Sequence, residues 1–218
     1  SANGLGSRVE ETRVSDAQGA ILSTENKTDM ALIGNGYFAL QNLNDNTVSF
    51  TRNGAFGLDE QGFLTTADNH RVLGTPIYEN DFGQTPDNLE ALQPIQIPSI
   101  RDDLVMSELE IAEDGRISAR YGEQDPVPIC SLTIGIFSNP IGLKELGNAR
   151  FSATERSGLL TLGAPMDSGF ADLQVGGLEI SNVNITDELT AMIKAQQQFN
   201  GSARLMQANS DMVEKLTR

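Results

Sequence analysis

The sequence predicts a mainly β protein: an antiparallel, hairpin-rich β body with one long C-terminal α-helix. Three observations point there. Glycine is abundant, 21 of 218 residues, while aromatics make up 6% and tryptophan is absent; many turns with few large rings suit short strands better than a helical bundle. Between residues 29 and 177, apolar runs of about four residues alternate with Asn/Asp/Gly clusters, the pattern of strands in series. From Asn184 the apolar period becomes helical.

Residues 1–28 are polar, with scattered apolar positions such as Val9, Val14, Ile21 and Leu22, and read as an extended lead-in with one strand at most. The body begins with Met30-Ala-Leu-Ile33 and Tyr37-Phe-Ala-Leu40. They flank Gly34-Asn-Gly36, a strong hairpin signal. Hairpin punctuation continues: Val48–Thr51, Arg52-Asn-Gly54, Ala55–Leu58, Asp59–Gly62, Phe63–Thr66, Ala67–His70 and Arg71–Leu73 describe a meander. Residues 74–94, with Asp81, Gly83, Pro86, Asp87 and Pro94, offer room for a small insertion, with 79–94 read as loop. Ile95–Pro98 and Glu108–Ile111 alternate like half-buried strands, and Glu113-Asp-Gly115 turns the chain into Arg116–Ala119. One strand is expected over 127–137 and another over Arg150–Thr154. A short helix is expected at Pro140–Leu146, stopped by Gly147, and a long surface loop over the Gly/Ser/Asp-rich residues 156–177.

The helix belongs to the third segment, 178–218. Asn184 is placed to cap its first turn, and Asp187 and Glu188 suit its positive end. Ile185, Leu189, Met192, Gln196, Phe199, Ala203, Met206, Ser210, Val213 and Thr217 follow a 4,3,4,3 spacing, a heptad seam interrupted by polar residues. A second stripe runs through Ile193, Leu205, Met212 and Leu216, which makes the apolar face wider than a two-stranded coil needs. Ala191, Ala195, Gly201, Ser202 and Ala208 flank it. Gly201 costs about 1 kcal/mol in a helix interior, a cost easier to explain where another backbone comes close. A helix of roughly 33 residues spans about 50 Å, too long for a body of this size to cover easily. The expectation is an interface with other chains, or with a segment of the same protein outside this sequence. Its expected residues are Ile185, Leu189, Met192, Ile193, Phe199, Ala203, Met206, Val213 and Leu216; a helix folded back on its own body is the competing reading.

The formal net charge is −15. Residues 184–218 carry four acidic and four basic side chains, so the excess lies in the preceding residues. A body this acidic repels DNA, RNA and anionic lipid, so neither a nucleic-acid partner nor membrane insertion is expected. No stretch has the length of a transmembrane helix. Ser1–Gly6 lacks a signal peptide's basic and apolar regions and an initiator methionine, so a fragment or a processed product is expected. The lone Cys130, in the apolar run Val127–Phe137, reads as a small buried hydrophobe and permits no internal disulfide.

Signals for chemistry are weak. His70, the only histidine, lies in a polar turn and reads as an exposed turn residue; no nucleophile elbow accompanies it. One His and one Cys cannot complete a zinc tetrahedron. Asp59-Glu60, Asp102-Asp103 and Glu113-Asp114 are adjacent pairs, whereas a glycosidase needs carboxylates facing across a cleft. Asn42–Asn46 is oxygen-rich but lacks EF-hand spacing, and reads as a solvated hairpin turn. Gly34-Asn-Gly36 has no lysine and no following helix, so it is no phosphate loop. No cofactor, metal or enzymatic activity is expected.

Two regions resemble the bacterial flagellar axial proteins of the hook and distal-rod family. Thr28-Asp-Met-Ala-Leu-Ile-Gly-Asn-Gly-Tyr-Phe38 with Phe50-Thr-Arg-Asn-Gly-Ala-Phe-Gly-Leu-Asp-Glu-Gln-Gly-Phe-Leu64 is similar to the family's paired glycine-rich motifs. Leu178-Glu-Ile-Ser-Asn-Val-Asn-Ile-Thr-Asp-Glu-Leu-Thr-Ala-Met-Ile-Lys-Ala-Gln196 resembles its C-terminal segment, and residues 131–151 resemble a third block. Together they cover about half the chain, in the family's order. Gln197 and Gln198 depart from the family's usual Arg and small or aromatic residue, and the family's N-terminal helical motif is not among these residues. Arg52–Phe56 and Arg71–Gly74 look slightly more hook-like. The resemblance implies a subunit of a hollow helical filament, exported by the flagellar type III pathway. Its partners would be copies of itself and neighbouring axial proteins. It would be extracellular in a hook, or within the periplasm-spanning basal body in a rod. A β-rich adhesin with a helical oligomerisation stalk is the alternative, and an acidic-pair hydrolase a third reading.

Overall fold

The structure, a computed structural model, describes residues 18–77, 88–180 and 185–216; in the last segment it describes the side chains of residues 189, 190, 192–204, 206 and 207. The chain divides into two compact units, Ser1–Ile180 and Ser181–Arg218.

The described residues of the first unit are mainly β. Its strands begin with Ile21–Ser23 (β1), Met30–Ile33 (β2), Tyr37–Asn42 (β3), Val48–Thr51 (β4), Phe56–Leu58 (β5), Leu64–Thr66 (β6) and His70–Pro76 (β7). A 3-10 turn at Leu89–Ala91 precedes Gln93–Pro94 (β8), Ile100–Arg101 (β9), Leu104–Ile111 (β10) and Arg116–Tyr121 (β11). The remainder comprises Val127–Leu132 (β12), Ile134–Phe137 (β13), Lys144–Gly147 (β14), Arg150–Ser152 (β15), Leu160–Gly163 (β16), Asp172–Val175 (β17) and Gly177–Glu179 (β18). The described residues of the second unit form one helix, α1, Ile185–Leu216.

The main sheet runs β14-β15-β4-β3-β7-β12-β11-β10-β9, with β13 and β16 joining at β3, and β6 and β8 joining at β7. The pairings are antiparallel. The strand β3 is buried on both faces, which explains its unbroken apolar run. Side chains alternate across a strand, so Phe38 and Leu40 enter one core while Tyr37 and Ala39 enter another. The first core gathers Met30, Leu64, Ile97, Ile117 and Leu132; the second is more aromatic. There Phe137 meets Phe50 edge-on at 4.8 Å and Tyr37 at 6.0 Å between ring centroids. Such contacts add to the stabilisation from area burial.

Several predicted strands exist but choose distant partners. Met30–Ile33 and Tyr37–Leu40 do not form a hairpin: β2 pairs with β17, Leu32 opposite Leu173, while β3 pairs with β4, β7 and β13. The turn at Arg52-Asn-Gly54 likewise passes the chain from β4 to β5 without pairing them; β5 pairs with β6. Gly54 is required there, because a Cβ would lie 1.7 Å from the Met30 carbonyl oxygen. The turn after β3 is the solvated hairpin expected of Asn42–Asn46: Asn42 Oδ1 accepts from Asn44 N–H and Asp45 Oδ1 from Thr47 N–H. The β10–β11 hairpin turns at Glu113-Asp-Gly115 as expected.

Other expectations are corrected. The stretch 127–137 is two strands, broken at buried Thr133, because β12 pairs with β7 and β11 while β13 pairs with β3 and β16. Residues 140–146 are not a helix. They make a 3-10 turn, Pro140–Gly142, and then enter β14, the exposed edge strand. So short a stretch cannot repay helix nucleation, and pairing with β15 prevails. The supposed loop 156–177 contains β16 and β17, both paired with core strands. Residues 88–94 are a 3-10 turn and β8 rather than loop, and Leu92 is buried. Residues 1–17 of the lead-in, 78–87 of the possible insertion, and the capping Asn184 lie outside the described residues.

Candidate functional site

The apolar face of α1 is the leading candidate. Of the expected interface residues, Leu189, Met192, Ile193, Phe199 and Met206 are large hydrophobics with more than half of their surface exposed, and Phe199 and Met206 reach 75%. Ala203 is exposed as well. Ile185, Val213 and Leu216 lie on the helical backbone, but their side chains fall outside the described ones. Helical spacing sets Leu189, Met192, Phe199, Ala203 and Met206 along one stripe, with Ile193 beside it. Full burial of one large apolar side chain is worth roughly 1.5–3 kcal/mol. At Gly201 a Cβ would meet nothing within 4 Å. No helix of the described residues is long and apolar enough to cross a membrane.

His70 is not the exposed turn residue expected. It starts β7 and is buried, between Asp68 and Arg150. Arg150 Nη1 lies 2.6 Å from His70 Nε2. A guanidinium only donates, so Nε2 accepts and the ring proton sits on Nδ1, which donates to the Asp68 carbonyl at 3.0 Å. Arg150 Nε lies 3.0 Å from Asp68 Oδ2, an ion pair by distance although its N–H is not aimed for a hydrogen bond. Burial alone would raise the Asp68 pKa; the Thr66 hydroxyl and the Arg150 guanidinium outweigh it and hold the carboxyl below its usual range. The cluster ties the β6–β7 turn to β15. It holds no free base aimed at a nucleophile.

The adjacent carboxylates do turn chemistry instead. Asp59 Oδ1 accepts from the Gln61 and Phe63 N–H groups, fastening the β5–β6 turn. Asp114 accepts from the Arg116 N–H and guanidinium. Asp102 and Asp103 adopt positive φ between β9 and β10. Among the described residues, no three His, Cys, Asp or Glu side chains gather as a metal site. Cys130 is buried in β12, and burial pushes its thiol up to about 12.

One ion pair escaped the sequence: Arg52 and Glu179, whose side chains meet at 3.1 Å although they are far apart in the chain. Each stands inside one of the resemblance motifs. A charged residue within a turn motif was the available signal, but nothing local named its partner.

A β body whose acidic pairs fasten turns, in a chain that ends in a long helix with an exposed apolar stripe, defines a structural assembly subunit. Comparison with known proteins agrees. Residues 31–119 match the flagellar hook protein FlgE/F/G D1 domain, and residues 174–218 the flagellar basal body rod FlgEFG protein C-terminal region. The flagellar basal-body rod protein FlgG of Agrobacterium fabrum is 30% identical over 216 residues, 99% of this chain and 73% of that protein. Its Bacillus subtilis counterpart is 31% identical over 214 residues, 98% of this chain and 73% of that protein. The flagellar hook protein FlgE of Caulobacter vibrioides is 32% identical over 111 residues, 51% of this chain and 19% of that protein. The chain belongs to the flagellar hook and basal-body rod protein family. It is a structural axial subunit of the bacterial flagellum.

Proposed function

We propose that this subunit builds the distal rod, and that it joins copies of itself and neighbouring axial proteins through α1 in a hollow helical assembly. The observation that carries this reading is the exposed apolar stripe of α1, a surface too large to leave in water. The width of the stripe and its flanking small residues favour several close neighbours over a single coiled-coil partner. The likeness to rod proteins runs nearly the whole chain, whereas the likeness to a hook protein covers half, and this outweighs the hook-like look of Arg52–Phe56 and Arg71–Gly74. The chain performs no chemistry in this reading; its acidic body is an outer, soluble face. Deleting the gene tests the assignment. Basal bodies isolated from such cells should lack the distal rod, and with it the hook. A complete rod lacking only its hook would assign the chain to the hook.

A further inference from the structure

Arg52 lies in the first family motif and Glu179 in the second, and a role for their contact follows from its geometry. Arg52 Nε donates to Glu179 Oε2 at 3.1 Å, while its Nη1 donates to the carbonyls of Gly34 at 3.0 Å and Gly36 at 3.1 Å. Both partners are largely buried, with 19% and 12% of their side-chain surface exposed. The other oxygen of Glu179, Oε1, accepts from the Gly19 N–H at 2.9 Å. One guanidinium thus grips the turn between β2 and β3 and, through the Glu179 carboxylate, strand β18 and the Gly19 backbone that leads into β1.

That ribbon pairs the first and last strands of the described body. Leu22 pairs with Leu178, the Ile180 N–H donates to the Ala20 carbonyl at 2.8 Å, and a Cβ on Gly19 would lie 1.7 Å from the Ile180 oxygen. Gly19 and Ile180 therefore lie side by side at one end of the ribbon. The ribbon is short and two-stranded, a form marginally stable alone.

We infer that Arg52 is a positioning residue that clasps the β1–β18 ribbon to the Gly34–Gly36 turn. The clasp is a property of the folded chain and does not depend on assembly. Its two halves act as a unit, because the carboxylate aligns the guanidinium and each neutralises the other's buried charge.

Hydrogen exchange of the full chain tests it, read at ribbon amides Thr24 and Ile180 and at core amides Ile95 and Leu132, all four hydrogen-bonded to backbone carbonyls. Arg52→Gln should speed exchange at the ribbon amides about tenfold while the core amides keep their rates. Glu179→Gln, which spares the carbonyl contacts of Arg52, should do the same more mildly and serves should Arg52→Gln fold poorly. The double variant should exchange no faster than Arg52→Gln alone. Unchanged ribbon rates, parallel acceleration of ribbon and core, or a double variant showing the product of the single effects would each overturn the clasp.

Discussion

At the scale of the residue, charged side chains in this body serve as fasteners between segments far apart in sequence. Asp68 is the clearest. Its carboxylate accepts from the Thr66 hydroxyl at 2.6 Å and faces Arg150, while its backbone carbonyl holds His70. Its pKa is lowered below the ordinary 3.8 in the folded chain. The stabilisation from its charge is therefore complete above that value and is lost as the pH falls through the folded one. Asp68→Asn should cost about 1–2 kcal/mol near neutral pH. In urea unfolding, the gap between parent and variant should narrow as the pH drops below about 4. An equal gap at about pH 3 and about pH 7 would show that the charge contributes nothing. The sequence displayed none of this: Ala67-Asp-Asn-His70 has the composition of a solvated turn, and the Arg150 that covers His70 lies 80 residues away.

At the scale of the element, strands were legible and their partners were not. Tyr37–Leu40 announces a strand by its apolar run, but its three neighbours are set by the two cores it must fill. Asp172–Val175 carries two large apolar residues amid Gly, Ser and Asp, too weak a signal for a strand until β2 is beside it. Local rules saw Gly34-Asn-Gly36 as a hairpin because they weigh the turn and not the sheets on either side. The helix was legible because its period repeats over its whole length, independent of any partner. Gly201→Ala makes the helix prediction specific. The isolated chain has open space there, so alanine should raise helix stability by about 1 kcal/mol. Where neighbouring backbones approach closely in the assembled axis, the same methyl should weaken packing, and rods carrying it should dissociate at milder acid or denaturant than parent rods. Rods strengthened in step with the helix would mean that nothing approaches Gly201.

At the scale of the whole molecule, the chain couples two different kinds of surface. The body buries two hydrophobic cores, and Asp59 and Asp114 fasten two of its turns. The helix does not satisfy itself, for its described large hydrophobics stand in water. This division was legible in the sequence as a change of period and a change of charge near residue 180. The clasp on the β1–β18 ribbon was not, since the Arg52–Glu179 contact bridges 127 residues. The central claim is that α1 assembles the axis, and Phe199→Asp in the full chain, produced in its own cells, tests it most directly. The β body of this variant should melt as the parent does, while isolated basal bodies should contain no rod built from it. Rods of normal length and number carrying Asp at that position would contradict the claim.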